Sequence, residues 1–133
     1  MQARQFGGTL PGLLDYWASQ TPDSPAIYCN DVETSFGALS EQSMRLASAL
    51  VQLDVKPGDA VALWMPNCPA WMVVFFACAR LGARVVALNT RFGDVEVQEL
   101  LARTSARAVF IWSSWNGRDF HSAIEGMDRA RTR

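Results

Sequence analysis

The sequence predicts an α/β fold, a βαβαβ parallel sheet with flanking helices and a short β-hairpin near its amino terminus. Three short apolar runs, Ala60 to Met65, Arg84 to Leu88 and Ala108 to Trp112, alternate with two segments of helical periodicity, an order that favours parallel strands and right-handed crossovers. The first run is apolar at nearly every position, as in a strand covered on both faces. Half of the 133 residues are apolar, so one core can form without disulfides or metals. A single domain, residues 1–133, is the expectation at this length.

Leu10, Leu13, Leu14 and Trp17 recur at helical spacing behind Thr9 and Pro11, so a first helix runs to about Gln20 and stops at Thr21-Pro22. Ala26 to Cys29 and Glu33 to Phe36 flank Asn30-Asp31 and read as the hairpin. Leu39, Leu46, Leu50 and Leu53 line one face of a second helix from about Phe36 to Leu53. Lys56-Pro57-Gly58-Asp59 has proline and glycine where a type II turn needs them, and leads into the first apolar strand. Pro69 suits the first position of the next helix and Gly82 its stop. Ala70 to Leu81 is apolar almost all round, which predicts deep burial. Gly93 or Asp94 caps a helix striped by Val97, Leu100 and Leu101. After Trp112 the pattern dissolves: residues 113–133 read as a poorly structured tail, with a weak helical stretch from Phe120 to Met127 and an arginine-rich end.

Composition excludes several functions. Twelve basic residues against thirteen acidic ones, with no block of like charge, leave no stripe to track a phosphate backbone, so nucleic acid is not an expected partner. The longest apolar stretch, Ala70 to Ala79, falls short of the roughly 20 residues that span a bilayer, and Arg4 is followed by no apolar run of signal-peptide length. Cys29, Cys68 and Cys78 are odd in number and form no C-x-x-C pair, so they read as reduced, buried thiols of a soluble cytoplasmic protein.

No constellation carries recognisable chemistry. The turn after Met65 is Pro66-Asn67-Cys68-Pro69 and not G-x-G-x-x-G, Gly7-Gly8 precedes any strand, and Lys56, the one lysine, follows no glycine-rich loop. A phosphoacceptor domain needs acidic residues at its strand ends, where this chain has Met65-Pro66-Asn67 and Leu88-Asn89-Thr90. Asn67 and Asn89 stand where open α/β sheets bind ligands, although a turn or capping role is the simpler reading. His121, the one histidine, has Asp119 too close in sequence to serve as its support within one helical turn. Trp64, Trp71, Phe75 and Phe76 read as core. No catalytic, cofactor-binding or metal-binding residue is assigned.

A colinear series of segments resembles the beginning of the adenylate-forming enzymes, the family of acyl-CoA synthetases, luciferases and peptide synthetase adenylation domains. Ser35-Phe36-Gly37-Ala38-Leu39 stands where that family has Thr-Tyr-x-Glu-Leu, with Ala38 in place of the glutamate that would complete a capping box. Gly58-Asp59-Ala60-Val61, Pro66-Asn67-Cys68-Pro69-Ala70-Trp71, Leu81-Gly82-Ala83 and Leu88-Asn89-Thr90-Arg91 follow in the family's order, and Trp115 to Phe120 resembles a segment of a bacterial acyl-CoA synthetase subgroup. The resemblance implies an incomplete domain, the amino-terminal portion of an ATP-dependent acyl-CoA synthetase of the kind that serves fatty acid metabolism. The parent's cofactors would be ATP, magnesium and coenzyme A. The family's phosphate loop, its magnesium and adenine segment, its ribose-binding aspartate and its catalytic lysine have no counterpart here, so no cofactor is expected on this chain and none of the catalytic residues carries over. The expected partner is the remainder of the synthetase or, on the alternative reading of a non-catalytic interaction module, a second copy.

Overall fold

A computed structural model describes residues 7–131. They fall into two compact units, each built from separate stretches of the chain: residues up to Pro57 with Cys68–Ala83, and Gly58–Asn67 with the residues from Arg84 on.

The first unit holds α1 (Leu10–Gln20), the antiparallel pair β1 (Pro25–Cys29) and β2 (Val32–Ser35), α2 (Phe36–Gln52) and α3 (Pro69–Leu81). Thr9 Oγ1 accepts from the Gly12 amide at 3.1 Å to start α1, and Ser35 Oγ accepts from the Ala38 amide at 3.2 Å to start α2. Asn30 and Asp31 both take positive φ, 49° and 63°, as a type I′ turn requires. Gly82 ends α3 at φ 71°, the left-handed cap that favours glycine.

Arg80 binds the three helices together. Its Nη1 donates to Asp15 Oδ2 at 2.8 Å, its Nη2 to Asp15 Oδ1 at 2.5 Å, and its Nε to Ser43 Oγ at 3.0 Å. Ser40 Oγ donates to Asp15 Oδ1 at 2.7 Å. The deep burial expected for α3 is not found, since Val74, Ala77 and Cys78 are buried whereas Trp71, Met72, Val73, Phe75 and Phe76 are half-buried. An apolar sequence on every face shows what a helix can bury, but it does not supply the neighbours. Within its unit α3 packs on α1 and α2, and Trp71 and Phe75 stack on each other at 5.6 Å.

The second unit holds β3 (Ala60–Trp64), β4 (Arg84–Ala87), α4 (Asp94–Thr104), β5 (Ala108–Ile111), the two-residue strands β6 (Ser114–Trp115) and β7 (Arg118–Asp119), and α5 (Phe120–Arg131). The main sheet runs β4-β3-β5, all parallel, with Val61 opposite Val85 and Ala108. Every residue of the central strand is buried. Ala62, Trp64, Val86, Leu88, Val109 and Ile111 share one face by strand alternation, and Val97, Leu100 and Leu101 of α4 with Phe120, Ala123, Ile124 and Met127 of α5 pack onto it.

Residues 113–131 therefore do not form a poorly structured tail. Asn116 and Gly117, at φ 50° and 77°, make a second tight hairpin turn between β6 and β7. Phe120 is fully buried edge-on to Trp64, with ring centroids 4.8 Å apart, and anchors α5. Arg4 and, of the arginine-rich end, Arg133 lie outside the described residues.

Candidate functional site

The carboxyl ends of β3 and β4, where open α/β sheets admit ligands, border a recess of about 440 Å³ lined by Met65, Pro66, Asn67, Asn89, Thr90 and Trp115. A second recess of about 440 Å³ shares Thr90 and Trp115 and adds Arg91, Asn116 and Arg118. One wall is the loop between β4 and α4, held by consecutive amides. Arg91 N donates to Asn89 Oδ1 at 2.9 Å, Phe92 N to Asn89 O at 3.0 Å, and Gly93 N to Glu96 Oε2 at 2.7 Å. The indole N–H of Trp64 also donates to Asn89 O, at 3.2 Å. The Asn89 side chain is thus spent on its turn, while Asn67 stays exposed at the rim.

The other wall is the β6–β7 hairpin, where Trp115 pairs directly with Arg118. Arg118 Nη1 donates to Phe92 O, and to Thr90 O at 3.4 Å, while its Nη2 pairs with Asp94 Oδ1. Its guanidinium lies over the Trp64 ring, 4.5 Å from the centroid. Neither Arg118 nor Trp115 stood out by residue type alone.

Arg91 is exposed, and its guanidinium has no partner among the described residues. With the half-exposed indole of Trp115 alongside, the recess offers one fork for an anionic group and one face for a planar one. No carboxylate, histidine, cysteine or lysine is among its described lining residues. Among the described residues no group of three or more His, Cys, Asp or Glu side chains could hold a metal ion.

The remaining sequence candidates lie apart from this chemistry. His121 is exposed, its Nδ1 3.9 Å from Glu125 Oε1. Asp119 instead caps α5, accepting from Ser122 N at 3.0 Å and from Ser122 Oγ at 2.7 Å, and these hydrogen bonds hold its carboxyl below the ordinary aspartate range. Lys56 sits 3.4 Å from Asp54 in the turn before β3. All three cysteines are free; burial pushes the Cys78 thiol up to about 11, while Cys29 and Cys68 are half-buried.

Residues 14–132 match the family model described as AMP-binding enzyme. The chain belongs to that family. It is 36% identical over 122 residues to the 3-[(3aS,4S,7aS)-7a-methyl-1,5-dioxo-octahydro-1H-inden-4-yl]propanoyl:CoA ligase of Mycobacterium tuberculosis, covering 92% of this chain and 24% of that protein. The ligase of the same name from Rhodococcus jostii is 32% identical, over 87% of this chain and 22% of its own length. Among solved structures, the N-terminal domain of FACL13 from Mycobacterium tuberculosis superposes with a TM-score of 0.79 at 28% identity, covering 94% of this chain and 30% of that domain. The chain thus spans about a quarter of the length of the curated relatives it matches, and its fold is that of an N-terminal portion of an AMP-binding acyl-CoA ligase. AMP-binding enzymes of this kind depend on ATP and coenzyme A. Among the described residues the recess holds one free arginine fork and no carboxylate cluster, and the sequence has no glycine-rich phosphate-cradling loop. Among the described residues no helix is long and apolar enough to cross a membrane.

Proposed function

We propose that this chain is the amino-terminal scaffold of an ATP-dependent acyl-CoA ligase and has no turnover by itself. In the whole enzyme a carboxylate would displace pyrophosphate from ATP to give an acyl-adenylate, and the thiol of coenzyme A would then displace AMP. The parent enzyme would serve fatty acid metabolism in the cytoplasm, and the partner is the remainder of the synthetase. The observation that supports this reading is the recess at the ends of β3 and β4, where open α/β sheets take ligands, lined by one free guanidinium and by no carboxylate, histidine or cysteine among the described residues. Two assays test it. ATP–pyrophosphate exchange by the purified chain would overturn its inactivity. A chimera in which this chain replaces the matching quarter of the Mycobacterium tuberculosis ligase should keep exchange activity, and a folded chimera without exchange would sink the scaffold assignment.

A second reading, a non-catalytic interaction or oligomerisation module, is favoured by Tyr28 and Val32, large apolar residues exposed on the β1–β2 hairpin. Sedimentation across a wide concentration range decides it, a monomer throughout excluding self-association.

A further inference from the structure

We infer that Arg118 is the positioning residue of the recess, a latch through which the β6–β7 hairpin sets the conformation of the 89–94 loop. The two recess walls are far apart in sequence, and Arg118 is where they meet. Its fork engages the loop at the Thr90 and Phe92 carbonyls, and then the Asp94 carboxylate at the first turn of α4. A guanidinium can satisfy three acceptors at once because its five donors are held in one plane. The same group is pinned from behind by the faces of Trp64, at 4.5 Å, and Phe120, at 5.4 Å. Three-quarters of the side chain is thereby removed from water, since its exposure is 27%.

The hairpin register completes the device. Trp115 and Arg118 are directly paired across β6 and β7, flanking the Asn116-Gly117 turn. Both line the second recess, and Arg118 also grips the opposite wall, so displacing the hairpin must move both. The loop amides of Arg91, Phe92 and Gly93 all donate to local acceptors, two on Asn89 and one on Glu96. Those three bonds persist only while the loop keeps the shape that Arg118 imposes. The latch is a property of this chain whatever the parent enzyme turns over.

Amide hydrogen exchange on the full chain, read by NMR, tests it. Arg118→Met keeps the stem but removes every donor. Exchange at Arg91, Phe92 and Gly93 should rise roughly tenfold or more, the loss of one to two charge-assisted bonds, while Ala62 and Leu63 in β3 change by less than about twofold. Arg118→Lys retains the charge over Trp64 but not the fork, so it should preserve the β3 protection without restoring that of the loop. Asp94→Asn removes one partner and should raise loop exchange by about threefold, which keeps the test decisive if Arg118→Met does not fold. Unchanged loop exchange, or a parallel rise at β3 and loop amides, would overturn the inference. So would full restoration of loop protection by lysine.

Discussion

Replacing Asp15 by alanine should destabilise the chain more than replacing its partner Arg80 by methionine. The Arg80 side chain is only 13% exposed, whereas that of Asp15 is 46% exposed. Removing Asp15 strands a largely buried guanidinium, leaving it the Ser40 and Ser43 hydroxyls and no counter-charge. Removing Arg80 strands a carboxylate that water already reaches. Cutting one partner from a fully buried pair costs about 3–5 kcal/mol and from a surface pair about 0–1 kcal/mol. The half-exposed geometry places Asp15→Ala at about 2–3 kcal/mol and Arg80→Met at about 1–2 kcal/mol. At ~2.1 cal/mol/K per residue, the former corresponds to a fall in Tm of about 7–11 °C. The hydrogen bond from Arg80 holds the Asp15 carboxyl below its usual value, opposed by burial and aided by Ser40 and the Arg80 charge. Because the folded pKa is depressed, this stabilisation is fully present above the unfolded pKa of about 3.9 and is lost as pH falls through the folded pKa. The gap between wild type and Asp15→Asn should therefore be flat above about pH 5 and shrink below about pH 4. Urea unfolding of the variants at pH 7 and pH 3.5 measures all of this. An Asp15→Ala cost below that of Arg80→Met, or a gap that does not change with pH, would refute the reasoning.

Phe120→Ala should cost about 3–5 kcal/mol by denaturant unfolding, because it empties a fully buried site against Trp64 and undocks α5; a cost below about 1 kcal/mol would return residues 120–131 to a dispensable tail. In the native protein a disulfide reagent at pH 8 should titrate Cys29 and Cys68 but leave Cys78 until denaturant is added. With its thiol at about 11, only about one Cys78 in a thousand is thiolate at that pH, and three thiols reacting at a common rate would exclude such burial.

Elements written in adjacent residues were legible. Pro69 and Gly82 bracket α3, Gly58 takes φ 87° in its turn, and Asn30-Asp31 closes the first hairpin, because each works through its own backbone preference. The second hairpin carried an equally local signal, Asn116-Gly117, but its strands are two residues long and show no alternation to announce them. Helix α5 likewise has Phe120, Ala123, Ile124 and Met127 at i, i+3, i+4 and i+7, a narrow apolar stripe of two turns. The half-exposure of α3 left no trace in sequence, since periodicity identifies the apolar face of a helix and not what covers it.

The recess was legible only as a place. Strand order pointed to Asn67 and Asn89, but the residues that shape the walls act over long sequence distances that no local pattern encodes. Composition did carry one clue whose meaning the structure supplies: all but one of the twelve basic residues are arginine. Arg80 spans Asp15, Ser40 and Ser43, and Arg118 spans Thr90, Phe92 and Asp94, each using several donors of one planar fork. A lysine in either place could reach one acceptor at a time and would leave the others unpaired in partly buried surroundings. The arginine excess in these two cases serves construction, which agrees with the absence of a basic stripe. It also makes Arg91 distinctive, as an exposed fork at the rim of the recess with no structural acceptor among the described residues.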